Sequence, residues 1–209
     1  MNVVDVGGET TIRLLVFLVL FTVLAVSERL FARRVGKIDW RTRWLNNLLL
    51  SSLNTVLLRI FMPFSGTLFA AYLFDGQGAL LKLTDLPWAL SMGIFIVLFD
   101  LAIYFQHRVF HWLYPLWSLH RVHHTDLDFD VTTGSRFHPL SILISMLFKF
   151  ALIYGLGPLP VAVLAAEVLL NGTSMFNHSN IRLPASVDRA LRWMIVTPDM
   201  HRIHHSVVD

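Results

Sequence analysis

Residues 118–126 read SLHRVHHTD, with His120, His123 and His124 inside five positions and the acidic run DLDFD, residues 126–130, starting at its last residue. A helix advances about 100° per residue, so positions i, i+3 and i+4 share a face and the three imidazoles point together. The pattern His, Arg, aliphatic, His, His returns near the C-terminus in DMHRIHHSVVD, as His201, His204 and His205. A third pair, His107 and His111 in QHRVFHW, stands four residues apart, one helical turn along one face. One such face could be a polar turn rich in imidazole, but repetition makes a ligand set for a metal the better reading.

The rest of the chain sets the surroundings of these faces. With 55% hydrophobic and 15% charged residues among 209, and a mean hydropathy of +0.60, the sequence has the composition of a membrane protein. It has no cysteine, which excludes a disulfide framework and thiolate-held zinc or iron–sulfur sites, so any metal must use nitrogen or oxygen donors. Residues 12–27 form a first apolar helix, retained because no cleavage-site pattern follows it. Residues 45–74, interrupted by Pro63 and by Asn46, Asn47 and Arg59, form either one kinked helix or two shorter pieces. Residues 86–105 span roughly 30 Å as a helix, enough for one crossing. From Leu140 onward two apolar arms, broken between Gly155 and Pro160, predict a helical hairpin. Together these predict an all-α, multi-pass transmembrane helical bundle with a cytoplasmic histidine-rich helical cap. Residues 1–85 would hold the N-terminal membrane helices and a basic loop, and residues 86–209 the histidine-bearing domain.

Orientation follows from lysine and arginine. Arg29, Arg33, Arg34, Lys37, Arg41 and Arg43 crowd residues 28–43, which the positive-inside rule makes cytoplasmic. Counting crossings from there puts residues 106–139 and 177–209 on the same side, and these two segments contain all ten histidines. Pro115 separates the helix carrying His107 and His111 from the next, and Thr197 or Asp199 is placed to cap a helix beginning at Pro198. Adding His178 of FNHSN to the three faces gives nine candidate ligands. One transition-metal ion accepts about six at most, so two ions are implied, with iron, copper, zinc and nickel all compatible with imidazole.

The order HxxxH, HxxHH, HxxHH, with FHP and FNHSN between the last two, resembles the fatty acid hydroxylase and sterol desaturase superfamily of membrane di-iron enzymes over about residues 90–209. Matched position by position, the resemblance makes His107, His111, His120, His123, His124, His178, His201, His204 and His205 the metal ligands. It implies two iron ions, O2 as oxidant and a lipid substrate (sterol, fatty acyl or related), hydroxylated or desaturated in lipid biosynthesis. An unactivated C–H bond is inert to acids, bases and nucleophiles, which is why a redox metal is needed. Family members normally continue past the third box, whereas this sequence ends four residues after His205, so the expectation is a domain truncated at its C-terminus. Electrons are expected from a separate electron-transfer protein, no nucleic-acid partner is expected, and the location is a bacterial inner membrane or, as the alternative, the endoplasmic reticulum.

Other polar residues carry weaker signals. Asp100, two turns before His107, is placed either to hydrogen-bond a ligand imidazole or to contact a neighbouring helix. His138 is either near the site or a cap for the helix after it. Lys149 and Glu167 could pair across the hairpin, or Lys149 could snorkel to the headgroups, and Asp126, Asp128 and Asp130 read as a solvated loop. Tyr104, Trp112 and Trp117 suit an interfacial aromatic belt. A haem cytochrome would place histidines at depth within the spans, and a zinc peptidase would need a glutamate beside a histidine box. A non-catalytic or transport-type histidine-rich metal-binding membrane protein is the remaining alternative.

Overall fold

The computed structural model describes residues 6–74 and 79–206. Within them the architecture is helical, with one isolated bridge between Ala32 and Ile181. Helix α1 (Val6–Leu30) and α2 (Trp40–Phe61) are joined by the basic loop. A short α3 (Gly66–Tyr72) follows a break at Pro63, so the second apolar stretch is two pieces. Asp39 caps α2 and Ser65 caps α3, each accepting a hydrogen bond from a backbone N–H of the first turn. Helix α4 (Trp88–Trp112) runs unbroken through His107 and His111. Leu113 leaves helical geometry, and α5 (Tyr114–His124) starts with Pro115 in its first turn.

The predicted hairpin is α6 (Pro139–Leu156) and α7 (Pro160–Asn177). Its turn depends on Gly157, the one left-handed residue among those described, at φ 56°. A Cβ there would lie 2.2 Å from the carbonyl oxygen of Leu81, so both the backbone angle and the close approach select glycine. Two short helices complete the fold, α8 (Ala185–Leu191) and α9 (Pro198–His204), the latter capped by Thr197.

Four stretches are long and apolar enough to cross a membrane: α1, α2 with α3, α4 and α6. Their outward faces are apolar and exposed, as at Leu15, Val19, Leu49, Leu53, Val97 and Leu147, which is what a lipid solvent requires. Helix α7 lies inside, packed by α1, α3 and α4, and buries Ala162, Val163, Ala166 and Met175. Small residues let the surrounding helices approach it closely. Phe95, Phe99, Ile153 and Val163 form the centre of the apolar core.

A charged network crosses this bundle away from the histidines. Arg13 of α1 pairs with Glu9 at 2.8 Å and with Glu167 of α7 at 2.6 Å, and Lys149 of α6 pairs with Glu167 at 3.1 Å. Thr67 of α3 accepts from Arg13, and Ser65 donates to Glu9. The expected Lys149–Glu167 pair is thus one link of a larger set.

At the other end, the bridge between Ala32 and Ile181 ties the basic loop to the chain leaving α7, through Arg33 N–H to Asn180 O and Arg182 N–H to Phe31 O. Of the aspartates after α5, Asp126 and Asp130 are withdrawn from solvent, contrary to expectation, and Asp128 is half-buried. Arg43 holds Asp126 and Asp130, and Asp128 accepts from the backbone N–H groups of Lys37 and Ile38. Buried carboxylates need such partners, and Arg43 and the loop backbone provide them.

Candidate metal centre

Helices α4, α5 and α9, with the C-terminal end of α7, bring nine histidines together. They form three groups, two of which share His111 and so make one neighbourhood beside the other. In the first, one ring nitrogen from each of His123, His178, His201 and His205 lies within 4.8 Å of the others. In the joined pair, His111 is shared between His107 and His204 on one side and His120 and His124 on the other, within the same spacing. The two neighbourhoods therefore divide the nine as four and five.

Hydrogen bonds fix the direction in which key rings present their lone pairs. The Nδ1 of His178 faces the Ser174 carbonyl at 2.6 Å, and the Nδ1 of His123 faces the Arg136 carbonyl at 3.1 Å. A carbonyl only accepts, so each Nδ1 carries the hydrogen and each neutral ring leaves a bare lone pair on Nε2. Those two Nε2 atoms lie 3.0 Å apart, and the Nε2 of His201 lies 2.9 Å from that of His178. In the second group the Nε2 atoms of His107 and His204 stand 2.9 Å apart. Two imidazole nitrogens bound at right angles to one ion at roughly 2.0–2.1 Å would be separated by about 3 Å.

Protonation is a poor way to relieve this convergence. Burial pushes His120 down to about 2, His124 to about 3 and His178 to about 4, and neighbouring imidazoles add to the effect. Burial also pushes His123, His201, His204 and His205 down. The buried Nε2 atoms of His111, His120, His124 and His205 have no hydrogen-bond partner. Orphaned polar atoms of this kind are costly in a folded protein, and a cation among them removes the cost. The donor set thus fits metal ions bound by imidazole.

The surroundings hold the rings in place. Phe137 stacks on His123 at 4.5 Å, and Trp117 packs against His111 and His124. Arg136, whose carbonyl orients His123, donates to Asn47 Oδ1, and Asn47 donates to Asp126 and Thr132. Gly134 permits the approach of this loop to α7, since a Cβ there would meet His178 Nδ1 and the Ser174 carbonyl at 3.2 Å. Sequence reasoning missed Arg43, Asn47, Gly134, Arg136 and Ser174 as supports. Asn47 had a usable signal, a polar residue inside an apolar stretch that turns out to be buried.

Two nearby expectations resolve differently. His138 caps α6, its Nδ1 accepting from Leu140 N–H at 3.1 Å, and it joins neither group. Asp100 is exposed on α4, two helical turns or about 10 Å from His107, and no hydrogen bond joins it to a histidine among the described residues. Trp117 lies against the histidines, whereas Trp112 is exposed as an interfacial residue would be.

Set against known families, residues 92–209, more than half of the chain, match the fatty acid hydroxylase family. The chain belongs to that family. This fatty acid hydroxylase-family chain is 26% identical over 147 residues to alkylglycerol monooxygenase of Xenopus tropicalis, covering 69% of this chain and 31% of that protein. It is 32% identical over 127 residues to ornithine lipid hydroxylase OlsE of Rhizobium tropici, covering 58% of this chain and 36% of the relative. The human alkylglycerol monooxygenase is 28% identical over 122 residues, or 58% of this chain and 26% of that protein. The matched stretch spans about a third of the length of these relatives. No solved structure matches the chain.

Proposed function

We propose that this chain is the metal-binding core of a membrane lipid hydroxylase that uses O2 and two iron ions, with electrons delivered by a separate protein. The observation that carries the proposal is the facing of bare Nε2 lone pairs of His123 and His178 at 3.0 Å, with tautomers set by backbone carbonyls. Family membership supports oxygen chemistry, and the relatives' names, an alkylglycerol monooxygenase and an ornithine lipid hydroxylase, support a lipid as substrate and hydroxylation over desaturation. The four-histidine and five-histidine groups support two ions.

Bound in the two groups, iron would supply the oxidising power that an unactivated C–H bond demands and that side chains lack. The chain's own part is positional. Ser174 and Arg136 fix the ring tautomers, Phe137 and Trp117 restrict ring rotation, and the apolar bundle below keeps lipid tails within reach. The histidine side is proposed to be cytoplasmic on the strength of the basic residues 28–43.

Protein purified in detergent and loaded with ferrous iron should hold about two irons per chain and transfer 18O from labelled O2 into a lipid product. One iron or none in well-folded protein would refute the two-ion reading, and an unlabelled alkene product would refute hydroxylation. A label at Ser135 should report the cytoplasm and one at Lys82 the opposite side; both on one side would refute the orientation.

A further inference from the structure

A cavity of about 940 Å³ lies between the basic loop after α1, the 126–130 loop and α9, and it reaches two of the nine histidines, His124 and His205. Its volume is within the range of small-molecule sites. Its charge distribution distinguishes it. Every carboxylate lining it is already held: Glu28 by the backbone N–H groups of Val131 and Asn180, Asp126 and Asp130 by Arg43, Asp128 by those of Lys37 and Ile38, and Asp199 by Arg33 and Arg202. Cations are left over. Arg34 and Lys37 line the cavity, and their side chains meet no carboxylate among the described residues, while Arg29 lies over the Trp40 ring at 4.3 Å.

An anion is therefore the complementary ligand, but a bare anion accounts for only part of the lining. Trp40, Trp44, Leu127 and Phe129 give the same cavity apolar walls. A ligand with a charged end and an apolar continuation satisfies both. The cavity is concave and leads to the histidines, which suits a substrate better than the flat surface of a protein partner.

We propose that this cavity receives the anionic headgroup, phosphate- or carboxylate-bearing, of the lipid substrate, with Arg34 and Lys37 as its counter-charges. The assignment rests on the lipid-oxidation reading above. It makes the polar end of the lipid, and the carbons next to it, the part brought up to His124 and His205. The C–H bond oxidised would then lie near the headgroup, with the tail directed toward the bundle.

Binding can be measured without turnover, by the fluorescence of the cavity tryptophans in iron-free protein in a zwitterionic detergent. Short-chain phosphatidic acid should bind about ten-fold more tightly than phosphatidylcholine with the same tails, and more tightly than inorganic phosphate. The double substitution Arg34→Gln, Lys37→Gln should weaken phosphatidic acid binding on the order of ten-fold and leave phosphatidylcholine unchanged. Both residues are exposed, so the fold should survive, and unchanged iron loading of the variant checks this. Equal binding of the two lipids, an unaffected double variant, or phosphate binding as tightly as the lipid would each overturn the proposal. Selective lipid binding in a protein that forms no oxidised product would refute the proposed activity and leave this site standing.

Discussion

Replacing Arg43 tests whether the centre is held from outside its own helices. Its guanidinium side chain is 9% exposed, and the carboxylates it bridges are 5% exposed at Asp126 and 11% at Asp130, so solvent screens these pairs little. Breaking a buried pair by removing one partner costs about 3–5 kcal/mol, because a charge is left behind without compensation. Here the lower end applies. Asp126 keeps Asn47 at 3.0 Å and Thr133 at 2.7 Å, and Asp130 keeps Trp44 at 3.1 Å and the Thr132 N–H at 2.9 Å. Arg43→Met should therefore cost about 3 kcal/mol, a change of roughly a hundred-fold in the folded-to-unfolded ratio. For a chain of this size the melting midpoint should fall by roughly 6–12 °C, read by light scattering or tryptophan fluorescence in detergent. Adding Asp126→Asn and Asp130→Asn should recover part of the loss by removing the stranded charges. An Arg43→Met protein that melts with its parent would refute the argument, and so would a triple variant less stable than the single one.

Three further perturbations address the histidines. His178→Ala should lower bound iron from about two per chain to about one by emptying the four-histidine group, and His120→Ala should do the same through the other group; either variant retaining both irons would contradict the division. In metal-free protein the buried histidines stay neutral to about 2 at His120, 3 at His124 and 4 at His178, whereas the unfolded chain takes up their protons below about 6.5. The unfolded state thus binds more protons, so thermal stability should fall as pH drops from about 7 to about 5, and a flat profile would show that these rings are not buried neutral. Gly134→Ala places a methyl 3.2 Å from His178 Nδ1 and should weaken iron binding by roughly ten-fold with little loss of overall stability, a contrast checked by titrating iron and melting the same samples.

The parts of this fold that could be read in the sequence are those governed by local pattern. The face-sharing of His120, His123 and His124 needs only helical periodicity, and the breaks at Leu113–Pro115 and Gly157 need only proline and glycine chemistry. Two features were not legible. The division of nine histidines into four and five depends on α9 lying across the ends of α4, α5 and α7, which no spacing within one helix reveals. The roles of Asp126 and Asp130 were misread because their partner, Arg43, lies 83 residues away from Asp126 and was absorbed into the count of topogenic charges. His138 illustrates the opposite difficulty, since a local cap and a ligand share the same residue type and only the direction of Nδ1 separates them.

The network of Glu9, Arg13, Lys149 and Glu167 bears on how the chain is made. Glu9 and Arg13 are four residues apart on α1 and can neutralise each other as that helix emerges from synthesis and enters the bilayer. Lys149 and Glu167 are 18 residues apart on the two arms of one hairpin and can do the same when α6 and α7 enter together. A single charge at the centre of a membrane helix costs about 2.5–3.5 kcal/mol on insertion, which applies to Lys149 and Glu167 in mid-helix and less to Glu9 and Arg13 near the start of α1, and each pair offsets its own cost. The joining contact, Arg13 to Glu167, connects residues 154 apart and cannot form until ribosomes have released α7. The Arg13–Glu167 contact is therefore a late one: α1 can meet Ser65 and Thr67 first and gains its link to α7 last.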